Sequence, residues 1–352
     1  MASASTAKAK GLAQAERRLA RLSASRLAAM RGEKTPLTVR EWLRFALRTL
    51  GILLGLLVSV PLHYIYRVFA YGSPFPMLFL RYTAWVVGAR VQVRGTPLRR
   101  DVFFIANHVS WVDILALAGA TGTAFVAKYE LSQVPVIGWL CRLNRTVFVK
   151  RENRMDVAQQ INALKEALAD NWSVTVFPEG TTTDGKSLLP FKSSMLSVLE
   201  PPPPGVLVQP VVLDYGEVSE FIGWIGAEDG LNNAMRVMAR KGSFRLRITY
   251  LEPFSPEEYH GRKAIAAKAR EEIEEELGAT LDEPLRDFRP ASYTHFRAHE
   301  TGRNLVCRLL LEKKKQKKKK TKTYSKLIFT YSHKPYHHHT HKTHKIPHDI
   351  PR

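Results

Sequence analysis

The stretch VFFIANHVSWVD, residues 102–113, decides how the chain reads. Its first four residues, Val102, Phe103, Phe104 and Ile105, form a β-branched and aromatic run of the length expected for a buried strand. Asn107 ends the run, His108 sits at its tip, and Asp113 follows five residues later. Along one continuous helix, five residues would separate the two side chains by about 140°. They can meet only if His108 precedes a helix and Asp113 lies in its first turn, with Ser110 as the candidate N-cap. An imidazole held by a carboxylate on one nitrogen is a general base on the other. The Ser110-x-x-Asp113 spacing also fits a capping box, a reading that leaves His108 a bystander.

Outward from this stretch, short Val/Phe/Ile-rich runs alternate with helical segments. Residues 90–94, 124–127, 146–149, 173–177 and 206–212 read as further strands. Phe244, Leu246, Ile248 and Tyr250 alternate with polar residues, as in a half-buried strand. Val157, Ile161, Leu164 and Leu168 recur at helical spacing, and residues 264–277 read as a charged helix. Pro201 to Pro204 form a rigid connector. The βαβα order predicts an α/β fold, a sheet covered by helices.

Two further segments carry candidate chemistry. VTVFPEGTTTDGKSLLPFK, residues 174–192, is a strand that ends in a Pro-Glu-Gly-Thr turn. Backbone N–H groups near Gly180 and Thr181 suit an anion or polar headgroup, and Glu179 suits hydroxyl donors. Between Phe125 and Arg151, the cations Lys128, Arg145, Lys150 and Arg151 lie near strand ends and suit a phosphate or carboxylate. Taken alone, such cations more often belong to a solvated surface.

The chain has 352 residues, a net charge of +21 and two cysteines. The charge is not evenly spread. Residues 1–50 carry +8, residues 301–352 carry +13, and the stretch between them sums to zero. A nucleic-acid-binding domain would carry its basic stripe on the folded body. Cys141 and Cys307 are too few for a disulfide framework or a Cys-rich zinc site, and read as free thiols on the reducing side of a membrane.

Residues 49–66 contain no Lys, Arg, Asp or Glu, the lower limit for a spanning helix. Pro61 and His63 interrupt the run, and Phe75–Val87 forms a second apolar stretch broken by Arg81. Basic residues flank the first run on both sides, so charge does not orient it. A pair of helices dipping into one leaflet is favoured over a single span, because it keeps both chain ends on one face. The remaining alternative is a buried helix of a soluble core. Four segments result: a basic arm (1–48), a membrane-associating helical segment (49–88), a catalytic domain (89–302) and a Lys/His-rich low-complexity tail (303–352). The arm is not a secretory signal, because about 48 residues precede the apolar run.

Taken together, the blocks resemble the lysophospholipid acyltransferases, the 1-acylglycerol-3-phosphate O-acyltransferase family. Its His-x4-Asp block is matched by His108 and Asp113, and its second block by Lys128 to Arg151. Its Pro-Glu-Gly-Thr block is matched by Pro178 to Thr181 with Phe191 and Lys192 following, and its fourth by Val208-Gln209-Pro210-Val211. The resemblance implies a mixed, largely parallel sheet flanked by helices behind an apolar membrane segment. It implies that His108 deprotonates an acceptor hydroxyl, which attacks the thioester of acyl-CoA or acyl carrier protein, while Asp113 orients the ring. Arg151, Glu179, Gly180 and Thr181 would hold the acceptor, with Lys128 and Lys192 as weaker candidates. The expected setting is the cytoplasmic face of the cell membrane, with no metal, no resident cofactor and no nucleic-acid partner.

Four positions depart from the lysophosphatidate pattern. Thr182 stands where Arg is frequent, Ser194 and Arg145 where Gly is common, and Lys150 where Asp is frequent. This variant resembles the bacterial branch that includes lyso-ornithine lipid acyltransferases. The acceptor is read first as 1-acylglycerol-3-phosphate, giving phosphatidic acid, with a lyso-ornithine lipid or another lysophospholipid as alternative. The rival of a different class is a non-enzymatic basic protein, bound through its ends to nucleic acid or anionic lipid.

Overall fold

A computed structural model describes residues 26–70, 72–149, 173–282 and 284–286. The helix expected around Val157 to Leu168, and the tail beyond residue 286, lie outside the described residues.

Among the described residues seven strands form one sheet: β1 (Ala89–Arg94), β2 (Val102–Ala106), β3 (Ala124–Lys128), β4 (Val147–Val149), β5 (Ser173–Val176), β6 (Leu207–Asp214) and β7 (Phe244–Tyr250). Their order is β1-β7-β6-β2-β5-β3-β4. Strands β2 to β6 run parallel; β7 pairs antiparallel with β6 and parallel with β1. The sheet is therefore mixed and largely parallel, and each predicted strand is present with its ends moved by a residue or two. Phe103, Phe104 and Ile105 of the central strand are fully buried, because helices cover both faces.

The main helices are α1 (Val39–Phe69), α2 (Phe75–Val87), α3 (Val112–Thr121), α4 (Pro135–Leu143), α5 (Gly230–Ala239) and α6 (Gly261–Leu281). One core joins Phe104, Val112, Leu117, Leu213 and Val237, and Phe45 and Ile52 of α1 pack against it. The other joins Phe103, Ile105, Val208, Ile265, Ile273 and Leu277. Helix α6 turns Ile265, Ala269, Ile273 and Leu277 inward at every fourth residue and leaves its charges outside.

Helix α1 begins ten residues before the apolar run. Thr38 and Glu41 form a capping box, with the Thr38 backbone N–H and hydroxyl each 2.8 Å from Glu41 Oε2. Arg44 donates to the Ala239 carbonyl at 2.7 Å, and Arg48 donates to Met238 and Gly242 at 2.8 Å each. These carbonyls are the orphan acceptors at and just after the end of α5. The arginines that read as part of a basic arm thus clamp α1 to the folded body. The opposite side of α1 presents Leu43, Leu47, Leu50, Leu54, Leu57, Ile65 and Phe69 to the outside. Tyr82 of α2 donates to the Gly51 carbonyl at 3.1 Å and lays its ring over Gly55, where any side chain would collide. Trp85 and Leu78 extend the exposed apolar surface along α2.

Candidate active site

Parallel strands that end together leave a crevice beyond their carboxyl ends, and the motif residues fall there. Strand β2 ends at Ala106. Asn107 replaces the next ladder step with its side chain, accepting from Leu213 N–H at 2.7 Å and donating to the Leu213 carbonyl at 3.0 Å. The chain then turns through His108 into α3.

The expected meeting of His108 and Asp113 is present: Nδ1 lies 2.8 Å from Asp113 Oδ2. Asp113 sits in the first turn of α3 and is fully buried. The N-cap is Trp111 rather than Ser110, whose hydroxyl only accepts a long bond from Val112 N–H at 3.4 Å. The capping and catalytic readings are compatible, because one oxygen serves both. Asp113 Oδ2 also accepts from the N–H groups of Val109 (2.7 Å) and Ser110 (2.9 Å). Its other oxygen accepts from the Tyr215 hydroxyl at 2.5 Å. Burial, reinforced by Asp113, holds the Tyr215 phenol well above its usual range, so it stays a donor. Four donors compensate the carboxylate for lost water. The His108 ring stacks on Phe177 at 4.0 Å, and Phe177 stacks in turn on Phe125. The imidazole side chain remains 18% exposed, with Nδ1 occupied and Nε2 as its basic atom.

The Pro-Glu-Gly-Thr turn follows β5 and faces this loop. Glu179 is 1% exposed, and each of its oxygens takes a backbone amide: Oε1 accepts from His108 N–H at 2.8 Å and Oε2 from Leu189 N–H at 2.9 Å. It staples the two strand-end loops together. Burial pushes its carboxyl up to about 8, the two amide donors only partly offsetting this. The Gly180 N–H donates to the Phe177 carbonyl at 3.0 Å, so that amide is closed into the turn. Gly180 itself is required: its φ is +72° and a Cβ would lie 2.5 Å from Lys192 Nζ. Lys192 thus lies against the turn, while Thr181 sits at its exposed corner. Thr183 N–H donates to the His108 carbonyl at 2.8 Å, adding a second staple. The Thr182 hydroxyl donates to the Trp224 carbonyl. Arg151 and Lys150 lie outside the described residues, as does the side chain of Lys128.

A further brace was not legible in the sequence. Trp224 N–H donates to the Val109 carbonyl at 3.0 Å, and the Trp111 indole donates to Asn233 Oδ1 at 3.0 Å. Asn233 donates to buried Glu228 at 3.0 Å; Arg236 and Arg26 donate to the same carboxylate at 2.9 and 2.8 Å. Burial alone would raise the Glu228 carboxyl, but the hydrogen bonds and charge of Arg236, with Asn233 and Arg26, hold it below the usual range.

Comparison with known proteins places this geometry. A lyso-ornithine lipid O-acyltransferase of Rhizobium meliloti is 31% identical over 259 residues, covering 68% of this chain and 88% of that protein. The chain belongs to the lysophospholipid acyltransferase family. Residues 90–214 match the family described as Acyltransferase. A lyso-ornithine lipid O-acyltransferase of Rhodobacter capsulatus is 30% identical, covering 67% of this chain and 90% of that protein. A 1-acyl-sn-glycerol-3-phosphate acyltransferase of Neisseria gonorrhoeae is 39% identical over a shorter stretch, 27% of this chain and 37% of that protein. The crystal structure of the acyltransferase PlsC from Thermotoga maritima shares the fold, with a TM-score of 0.52 at 22% identity over 71% of this chain and all of that one. The protein is therefore an acyltransferase, and the exposed apolar face of α1 makes it a membrane-associated one.

Proposed function

We propose that this acyltransferase moves a fatty acyl group from acyl-CoA or acyl carrier protein to the hydroxyl of a lyso-ornithine lipid, at the cytoplasmic face of the cell membrane. The observation that carries the chemistry is the His108 Nδ1–Asp113 contact at the mouth of the crevice. With Nδ1–H donated to Asp113, Nε2 takes the proton of the acceptor hydroxyl as its oxygen attacks the thioester carbonyl. The tetrahedral intermediate collapses to the ester, and His108 returns the proton to the departing thiolate. Asp113 fixes the tautomer and stabilises the transient imidazolium. No acyl-enzyme is needed, so Ser110 and Cys141 are not assigned as nucleophiles.

The choice of acceptor rests on two supports. The relatives that align over most of their length are named for lyso-ornithine lipid. Thr182 turns its hydroxyl to a backbone carbonyl where a phosphate-binding pattern would have an arginine. An ornithine headgroup carries a carboxylate and an ammonium rather than a phosphate monoester, so it has less need of that cation. Arg151 and Lys192 remain the proposed partners for an anionic headgroup. Lysophosphatidate is the second reading, favoured by the Neisseria match.

The test is purified full-length protein with labelled acyl-CoA against lyso-ornithine lipid, lysophosphatidate and lysophosphatidylcholine. The expected result is the highest kcat/KM on lyso-ornithine lipid. A higher value on lysophosphatidate overturns the acceptor assignment and leaves the chemistry intact.

A further inference from the structure

Helix α4 carries an exposed apolar surface in addition to those of α1 and α2. The one-turn helix Tyr129–Ser132 and α4 meet at a tight corner. Gly138 N–H donates to the Val134 carbonyl at 2.6 Å, and the Gly138 backbone packs against that of Ser132, leaving no room for a Cβ. This corner pushes the side chains between Leu131 and Ile137 outward. Val136 is 61% exposed and Ile137 47%, with Val134 at 42% and Leu131 at 39%. Four large aliphatic side chains together on a surface need an explanation, since scattered singles do not.

The occupant is indicated by charge and by place. From Leu131 to Arg151 the sequence contains no Asp or Glu, and the polar end of α4 carries the exposed cations Arg142 and Arg145. Glu130 is the one acid in this corner, and the cations outnumber it; an apolar helix with that charge balance suits the boundary of an anionic bilayer. The crossovers β2–α3–β3 and β3–α4–β4 step across the sheet in the same direction. Right-handed connections therefore put α3 and α4 on one face, and α3 packs with α2 on that face. The layers are joined at their far ends too. Gly122, after α3, lies against Met77 of α2, and Arg145 Nη2 comes within 3.7 Å of a Cβ built on Gly72, in the α1–α2 loop. The α4 patch thus continues the lipid-facing surface of α1 and α2. It also begins at the carboxyl end of β3, two strands or about 10 Å from the strand that carries His108.

We propose that the corner formed by residues 129–143 is a second membrane contact, with Leu131, Val134, Val136 and Ile137 set into the headgroup–acyl boundary of an anionic leaflet. With α1 and α2 it holds the crevice mouth against the bilayer from both sides. A single-chain amphiphile then reaches His108 without leaving the lipid surface.

The test uses the full chain with Cys141→Ser and Cys307→Ser, and one cysteine introduced by Val136→Cys or, separately, Ile137→Cys. Each variant is labelled with an environment-sensitive fluorophore and mixed with vesicles of phosphatidylcholine and phosphatidylglycerol. Lys263→Cys on α6 serves as the control on the opposite face, and Leu57→Cys on α1 as the positive control. Both α4 probes are expected to shift to the blue on vesicle addition and to be quenched by lipids spin-labelled on the acyl chain, like the Leu57 probe and unlike the Lys263 probe. The proposal is overturned if the α4 probes stay in water while the Leu57 probe is quenched. It is equally overturned if they are already blue-shifted in detergent and cross-link pairwise, which would make the patch an interface between two copies of the chain.

Discussion

Two loops sit side by side at the carboxyl ends of β2 and β5, and they use their acids in opposite ways. In the first, Asp113 directs one oxygen to an imidazole that remains partly exposed. In the second, Glu179 directs both oxygens to backbone amides. Both carboxyl groups are buried, and both cross-link the same turn. Only one of them has a titratable partner that can leave with a proton. A conspicuous acid in a motif can therefore be either chemistry or scaffold, and the atoms it touches decide which.

The sharpest way to break this contrast is to change each acid in turn. Asp113→Asn keeps the shape but offers the ring an amide. By analogy with other His–Asp pairs, kcat should fall about 10³- to 10⁴-fold with the fold retained. A loss below tenfold would show that Asp113 is merely a cap. Glu179→Ala should act first on stability. It strands two buried N–H groups, each costing about 1–3 kcal/mol, and the expected reading is a lowered melting temperature with a loosened His108 loop. Unchanged melting would mean the staple is not needed.

The same residue predicts a pH effect of definite sign. Its folded carboxyl is raised to about 8 from an ordinary value of 4.5, so the folded state favours the protonated form. The associated stability is complete below about 4.5 and is lost as pH climbs through about 8. Thermal melts between pH 5 and 9 should show this decline in the wild type and a shallower one in Glu179→Gln. Equal slopes would contradict it.

Smaller effects refine the picture of Asp113. Tyr215→Phe removes one of its four donors and leaves the ring contact. A fall of about tenfold in kcat with unchanged KM is expected, from the 1–2 kcal/mol of a charge-assisted hydrogen bond. A change confined to KM would place Tyr215 in substrate binding instead. Smallest is Arg26→Ala, because Arg236 still holds Glu228. It should cost about 1 kcal/mol in denaturant unfolding with kcat preserved.

Local patterns were the legible part of this molecule. Short β-branched and aromatic runs, one of them alternating, predicted the seven strands of the described residues, and the spacing of His108 and Asp113 predicted their meeting, because both depend on neighbours within a few residues. What stayed hidden depends on distant partners. Tyr215 lies about a hundred residues from Asp113, and Arg26 about two hundred from Glu228, so neither contact leaves a periodic trace. Arg44 and Arg48 read only as part of a basic arm, because the carbonyls at the end of α5 that they hold lie about two hundred residues away. Glu179 and Gly180 were legible as a motif, but which of their atoms were already spent was not.

The central claim is that His108 is the base. The most direct measurement is single-turnover acyl transfer by full-length His108→Ala, in vesicles with labelled acyl-CoA and lyso-ornithine lipid, alongside circular dichroism and a melting curve. The account predicts a folded protein with wild-type-like melting and acyl transfer reduced to background. A folded variant that still transfers the acyl group within about tenfold of the wild-type rate would contradict it.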